Sequence, residues 1–216
     1  MKDILEIYRQ HKIMPFLARH QLRVAAVGKM IASSIPGVDV EGVVTVCLLH
    51  DMGNIIKSDL SYFPEAIEPE GIEYWTGVKN EYVQQYGNDE HIATLEICRK
   101  LGLDETRLGY LNAIGFSRSV TTLESGSIEK MICLYADQRV GPHGVLSLDG
   151  RLADGRKRYA EKKGYEKTPE KFDIPAAALK EVERKIFEKS LLTPEDISDK
   201  SIQDIYDDLQ TFDIIR

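Results

Sequence analysis

The spacing of apolar residues along this chain is that of α-helices almost throughout. After Pro15, for example, Leu22, Ala26 and Met30 recur every four residues, which places them on one face of a helix. Pro15 fits the first turn of that helix, where its missing N–H leaves no hydrogen bond unmade. We find no convincing stretch that alternates apolar and polar residues with the period of a β-strand. The sequence therefore predicts an all-α fold.

The predicted helices are separated by glycine, proline and short polar stretches. They cover residues 15–35, 40–52, 72–86, 90–103, 105–116, 127–139, 152–164, 176–192 and 201–212, after a short apolar face at residues 4–8. Asp39, Asp89 and Asp104 stand where N-cap residues are needed. The composition changes most near 164–174, so we expect a main domain at 1–163. Residues 164–216 would form a C-terminal helical appendage packed on that domain.

Ionisable side chains lie on these apolar faces or at their ends: His20, His50, Asp51, His91 and Asp137. In CLLHDMGN, residues 47–54, an imidazole and a carboxylate directly follow a buried run. A buried charge without a partner is unfavourable or is neutralised. Because several separate helices carry such groups, we expect the groups to share one bound cation. Helix neighbours point about 100° apart, so the adjacent pair fits best at a helix end, where Gly53 lets the chain turn.

Charge and cysteine content narrow the class of protein. The net charge of −7 and the isoelectric point near 5.3 argue against a protein that binds nucleic acid with its whole surface. No apolar run approaches the roughly 20 residues of a membrane span, and the N-terminus has no apolar signal core. Cys47, Cys98 and Cys133 form no CxxC pair and are odd in number. We therefore expect buried free thiols and a cytoplasmic protein.

Four stretches in order resemble the motifs of the HD-domain metal-dependent phosphohydrolases. They are HQLRVAAVGKMIA, VCLLHDMGN, HIATLEICRKLGL and IEKMICLYADQRV, within residues 14–140. The resemblance implies an HD-domain-like helical bundle with additional C-terminal helices. It also implies that the metal ligands are His20, His50, Asp51 and Asp137.

The third of these stretches resembles the branch that contains the bacterial symmetric dinucleoside-tetraphosphate hydrolases. In that branch, a histidine at the position of His91 joins the site and supports a second metal. The branch also has a histidine where this chain has Ser117, which argues against a full two-metal centre. Relatives that act on nucleoside monophosphates often carry a glutamate after the His-Asp pair, whereas this chain has Asn54 and Lys57 there.

Imidazole and carboxylate ligands suit Mn²⁺, Fe²⁺, Co²⁺, Ni²⁺ or Zn²⁺ better than Ca²⁺. We expect one such ion, with a second ion left open. Asp51 is also a candidate to orient or deprotonate the water that the metal activates. For His91 three roles stay open: ligand of a second metal, acid to the leaving oxygen, or helix cap.

A phosphate substrate also needs cationic side chains. The candidates, each of which can equally be a surface charge or an ion-pair partner, are Arg23, Lys57, Arg118 and Arg139. We expect the basic run GRKRYAEKK, residues 155–163, to face solvent, with contact to a polyanionic substrate as the alternative.

These expectations combine into a metal-dependent phosphohydrolase that cleaves a phosphate ester or anhydride, with a nucleotide as the expected substrate. Phosphomonoesterase, phosphodiesterase and pyrophosphohydrolase activities all stay open. The alternative from another class is a non-catalytic helical sensor or partner-binding module with a structural metal. The apolar seam at 176–192 can pack on the core or on a second subunit, so a homodimer also stays open.

Overall fold

The computed structural model describes residues 3–61, 65, 67–161 and 171–214, with the backbone alone for 159–161. Its α-helices are α1 (Ile4–Gln10), α2 (Pro15–Ser33), α3 (Val40–Leu49), α4 (Gly71–Tyr86), α5 (Glu90–Lys100), α6 (Glu105–Leu111), α7 (Ser119–Glu124), α8 (Ile128–Arg139), α9 (Leu148–Glu161), α10 (Asp173–Phe187) and α11 (Asp199–Leu209). No helix within these ranges combines the length and the apolar character needed to cross a bilayer. The predicted all-α class is confirmed.

Capping residues begin and end these helices as the sequence predicts. Asp39, Asp89 and Asp104 each accept hydrogen bonds from backbone N–H groups in the first turn of α3, α5 and α6. Pro15 occupies the first turn of α2. Gly87 follows α4 with φ +83°, a backbone conformation that glycine adopts without the steric penalty of a side chain. Local side-chain chemistry therefore sets most of the helix boundaries.

The core forms around α2, which packs against α3, α8 and α11. The helix α3 is buried from Gly42 to Leu49 and also contacts α6 and α8. The expected free thiols are confirmed: Cys47, Cys98 and Cys133 are buried and unpaired with one another. Three helices that carry predicted site residues, α2, α3 and α8, thus lie side by side in the core.

The structure differs from the predicted elements in three places besides the exact helix ends. The sequence pattern predicts no helix where α7 lies. The helix α6 ends at Leu111 rather than at 116, and Gly115 adopts φ +135° before a short 3₁₀ turn at Phe116–Arg118. After α8, the strands β1 (Val140–Gly141) and β2 (Gly144–Val145) pair antiparallel where the sequence predicts a loop. This hairpin reverses the chain and leads into α9.

The C-terminal helices pack on the helices that precede them. The apolar seam of α10, with Leu179, Val182 and Ile186 fully buried, contacts α7 and α8, and α11 packs on α2. The seam is therefore covered within the chain. The predicted boundary at 163/164 lies outside the described residues, so the division into 1–163 and 164–216 stays a prediction.

Candidate metal centre

The helix α3 ends just before the polar pair His50 and Asp51, because side-chain hydrogen bonds replace the last hydrogen bonds of its backbone. His50 Nδ1 lies 2.8 Å from the carbonyl oxygen of Cys47, and the Asp51 N–H donates to Gln21 Oε1 at 3.1 Å. The helix therefore stops at Leu49 rather than at 52. Since a carbonyl oxygen only accepts, Nδ1 carries the proton. The neutral imidazole of His50 then presents the lone pair of Nε2, the form that binds metals.

The side chains of three core segments meet beside this nitrogen. His20 Nε2, from α2, lies 3.4 Å from Asp137 Oδ1 of α8 and 3.9 Å from Asp51 Oδ2. His50 Nε2 lies 3.4 Å and 3.6 Å from the same two oxygens. One ligand atom from each of His20, His50 and Asp137 falls within 4.8 Å of the others. The four residues predicted as metal ligands are thus brought together.

Neighbouring amides orient the two carboxylates. Asn54 Nδ2 donates to Asp51 Oδ2 at 2.7 Å. Gln138 Nε2 donates to Asp137 Oδ2 at 2.7 Å, which leaves Oδ1 of that carboxylate directed at the imidazoles. Such hydrogen bonds fix the orientation of ligand side chains in metal sites. The sequence contains both amides, yet their roles follow only from the folded geometry.

The charges within this cluster are strongly coupled. Burial lowers the pKa of His50, but the carboxylates of Asp51 and Asp137 outweigh it and raise that pKa to about 10. Burial raises the pKa of Asp137, whereas His20 and His50 lower it, so its pKa lies well below the usual value. The two carboxylates therefore favour a positive charge at the position of His50, and a bound metal ion would supply such a charge.

The donor atoms present fit a divalent transition metal. The side chain of His50 is 2% exposed. Among the described residues its buried Nε2 makes no well-aligned hydrogen bond, although Asp51 Oδ2 and Asp137 Oδ1 lie 3.6 Å and 3.4 Å away. A metal ion held by these residues would give the nitrogen a partner. Two imidazole nitrogens with carboxylate oxygens form the mixed ligand set that such metals prefer.

The turn carrying the polar pair is packed tightly against α5 at Gly53. The Gly53 N–H donates to Thr94 Oγ1 at 2.9 Å. A Cβ at this position would lie 2.8 Å from Ala93 Cβ, 3.0 Å from Thr94 N and still closer to the carbonyl oxygen of Glu90. Only glycine permits this approach, so the residue type at 53 helps to set the position of His50 and Asp51.

A cavity of about 720 Å³ opens from this cluster. Its volume lies within the range of about 300–1,000 Å³ typical of small-molecule sites. Part of the wall is apolar and is formed by Leu111, Ile114, Phe116, Leu152 and Phe172. The cavity can therefore hold a molecule that is larger than one phosphate group and partly apolar.

Two of the four predicted phosphate-binding residues, Lys57 and Arg118, line this cavity. Lys57 Nζ pairs with Glu90 Oε1 at 3.1 Å. Burial lowers the pKa of Lys57, but Asp51 and Glu90 outweigh this and raise it above the usual value. The carboxylates of Asp51 and Glu90 thus favour the charged form of Lys57 beside the predicted metal ligands.

The other two predicted residues, Arg23 and Arg139, are absent from the cavity walls that the described residues form. Arg23 Nε pairs with Asp199 Oδ1 of α11 at 3.2 Å. Arg139 is 2% exposed, and its guanidinium donates to the carbonyl oxygens of Leu146, Pro194 and Ile197. We therefore assign both arginines a structural role in place of phosphate binding.

His91 lies on the cavity wall but outside the metal-competent group found among the described residues. Its Nε2 lies 2.8 Å from Asn112 Oδ1. Ser117, where the predicted resemblance to the dinucleoside-tetraphosphate hydrolase branch places a histidine, also lines the cavity and offers a hydroxyl instead of an imidazole. The resemblance to that branch stays a prediction. The second metal ion stays a prediction.

The helix α9 contributes a basic wall that the sequence analysis largely missed. Arg151, Gly155 and Arg158 line the cavity, so α9 does not simply face solvent as expected. Arg158 belongs to the basic run at residues 155–163, but Arg151 lies before that run. The tertiary fold alone turns this face of α9 inward.

Comparison with known proteins supports one part of this account. Residues 17–80 match the family model of the HD domain, which confirms the predicted resemblance to the HD-domain superfamily. The matched segment contains His20, His50 and Asp51, whereas Asp137 lies beyond it. Searches of curated proteins and of solved structures gave no match.

Proposed function

We propose that this HD-domain protein is a metal-dependent phosphohydrolase that cleaves a phosphate ester or anhydride of a nucleotide. The observation that carries the proposal is the convergence of His20, His50, Asp51 and Asp137 at one end of a cavity. Cationic side chains on the other walls support a phosphorylated substrate. The apolar part of the cavity supports a substrate with a base or a sugar.

His20, His50, Asp51 and Asp137 would hold a divalent transition metal. When bound there, the ion supplies Lewis-acid polarisation of a phosphoryl oxygen and lowers the pKa of water. Hydrolysis at phosphorus forms one P–O bond to water and breaks the P–O bond to the leaving group. The residues of the chain have to place these oxygens and move the proton between them.

Asp51 is the proposed base, because its Oδ2 lies beside both imidazoles and its carboxylate lines the cavity. It would orient the attacking water and accept its proton. Lys57 and Arg118 would bind the non-bridging phosphate oxygens by charge-assisted hydrogen bonds. His91, on the cavity wall, is the proposed acid that returns a proton to the leaving oxygen. Its alternative role is to bind a second metal ion.

The proposal is tested by a hydrolysis screen with Mn²⁺, Co²⁺ or Ni²⁺. The substrates are nucleoside mono-, di- and triphosphates and dinucleoside polyphosphates. We expect turnover that a chelator abolishes and that Asp51→Asn reduces by at least about 100-fold, the lower range for a general base. Asp204→Asn, a matched change on the exposed surface of α11, controls for loss of one carboxylate.

Metal content, measured by elemental analysis of the same variants, separates the enzyme from a sensor. Bound metal without turnover on any substrate would contradict the hydrolase and favour a sensor or partner-binding module. Absence of both metal and turnover would contradict the proposed centre itself. The cytoplasmic location expected from the cysteine content stays a prediction.

A further inference from the structure

Three described residues on one face of α9 line the cavity, and two of them are arginines. Arg151, Gly155 and Arg158 follow one another at intervals of four and three residues and line the cavity together, as expected for one helix face. Asp154 Oδ2 lies 3.4 Å from Arg151 Nη1 and 2.9 Å from Arg158 Nη2. A single carboxylate thus orients two guanidinium groups.

The distribution of charge divides the cavity into two parts. Among the described residues, the carboxylates that line the cavity are Asp51 and Asp137, beside the two imidazoles, and Glu90, which is paired with Lys57. The described part of α9 instead contributes the guanidinium groups of Arg151 and Arg158, both of which pair with Asp154. Carboxylates therefore concentrate at one end of the cavity and guanidinium groups at the α9 wall.

Gly155 leaves space between the two arginines. Among the described residues, a Cβ built on it would contact the ring of Phe172 at 3.8 Å, and Phe172 also lines the cavity. With hydrogen at this position, the helix backbone borders the cavity between two side chains that favour phosphate geometry.

We propose that Arg151 and Arg158 bind a second phosphate group of the substrate, one that is not attacked. The substrate would then be a nucleotide with a diphosphate or longer phosphate chain rather than a monophosphate. This inference rests on the proposed function. It assigns specificity to α9, which lies outside the segment that matches the HD domain.

The test compares binding of pyrophosphate and orthophosphate to the full chain by titration calorimetry at a fixed excess of Mn²⁺. Because every variant is measured at the same free Mn²⁺, complexation of the anion by metal cancels in the comparison. We expect Arg158→Gln to weaken pyrophosphate binding about tenfold, as for loss of one charge-assisted hydrogen bond. Orthophosphate binding should change by less than about twofold, since that anion needs only the metal end of the cavity.

Lys157→Gln is the matched control, since it removes the same charge from an exposed position of the same helix. Gly155→Leu is a second variant that keeps both arginines and blocks the space between them. It should weaken pyrophosphate binding while its thermal unfolding shows an intact fold. The proposal is overturned if Arg158→Gln and Gly155→Leu both bind pyrophosphate within twofold of the control.

The same variants separate this inference from the proposed function. A loss of pyrophosphate binding in Arg158→Gln without turnover by the wild type would leave the phosphate subsite standing and remove the hydrolase. Turnover that prefers monophosphates, together with unchanged pyrophosphate binding by Arg158→Gln, would support the hydrolase and overturn the phosphate subsite. For an active enzyme, we expect Arg158→Gln to lower kcat/KM for diphosphates more than for monophosphates.

Discussion

Replacing Gly53 by alanine tests whether close packing against α5 positions the polar pair. The new methyl group would lie 2.8 Å from Ala93 Cβ and 3.0 Å from Thr94 N, well inside normal contact distance. Overpacking of this kind costs about 1–3 kcal/mol. If the turn shifts, the buried bond from Gly53 N–H to Thr94 Oγ1 is also lost, at about 1 kcal/mol. We therefore expect a strain of about 1–3 kcal/mol if the turn keeps its place, and the loss of about 1 kcal/mol of hydrogen bonding if the turn moves.

The strain can appear in either of two measurements. If the turn keeps its place, the free energy of unfolding falls by the full amount in denaturant titrations. If the turn moves away from α5, the loss of unfolding free energy is smaller. His50 and Asp51 must then return to their original positions when Mn²⁺ binds, so the strain that was relieved reappears at that step. Each 1.4 kcal/mol recovered in this way should lower Mn²⁺ affinity about tenfold. Both quantities therefore have to be measured on the same variant.

Gly77→Ala provides the matched control. Gly77 lies inside α4, and no atom of the described residues lies within 4 Å of a Cβ built on it. There the same substitution should stabilise the protein by about 0.5–1 kcal/mol through helix propensity. If Gly53→Ala matches the control in stability and the wild type in Mn²⁺ affinity, the packing argument is wrong.

Three further changes test other parts of the molecule. His50→Ala should abolish the rise in Tm that Mn²⁺ causes. At a free Mn²⁺ concentration about 100-fold above the dissociation constant, this rise corresponds to about 2.7 kcal/mol of unfolding free energy. A rise that persists in the variant contradicts the ligand role of His50. Arg139→Met leaves buried carbonyl oxygens without donors, so we expect denaturant titrations to show a loss of at least about 3 kcal/mol with orthophosphate affinity unchanged; weaker phosphate binding by the folded variant would contradict its structural role. Asp89→Ala should cost about 1 kcal/mol at neutral pH. The N–H groups of Ile92 and His91 lower the pKa of Asp89, so its stabilising contribution is present above the unfolded pKa and lost as the pH falls through the folded pKa. An undiminished difference in unfolding free energy between wild type and variant near pH 2, well below the usual carboxyl pKa of about 3.9, would refute this prediction.

Much of the fold follows from local sequence, because helix starts depend on nearby residues. Asp39, Asp89 and Asp104 cap their helices where the pattern places them. The predicted α6 is too long because the backbone changes to i→i+3 hydrogen bonds at Ala113 and Ile114, before Gly115 adopts a positive φ. Hydrophobic spacing reveals neither change. The hairpin after α8 was missed because its strands have only two residues each.

The convergence of His20, His50, Asp51 and Asp137 was predictable because each is an ionisable group on an apolar face or at its end. The same criterion also selected His91, which lies outside the metal-competent group of the described residues. That these residues bind a metal stays a prediction. The phosphate-binding residues were harder to identify, since their partners come from distant segments. Arg23 lies on the same helix face as His20, yet Asp199 binds it from far along the chain. Arg139, two residues after Asp137, points about 200° away on a helix, and that angle was already available from the sequence.

The cavity described above has walls made by well-separated stretches of chain. The metal-competent residues come from α2, from the turn after α3 and from α8, whereas the basic wall comes from α9 after the hairpin. In the proposed hydrolase, binding selectivity and reaction chemistry would therefore reside in separate parts of the chain, and α9 could be redesigned for another ligand while the four predicted metal ligands are kept.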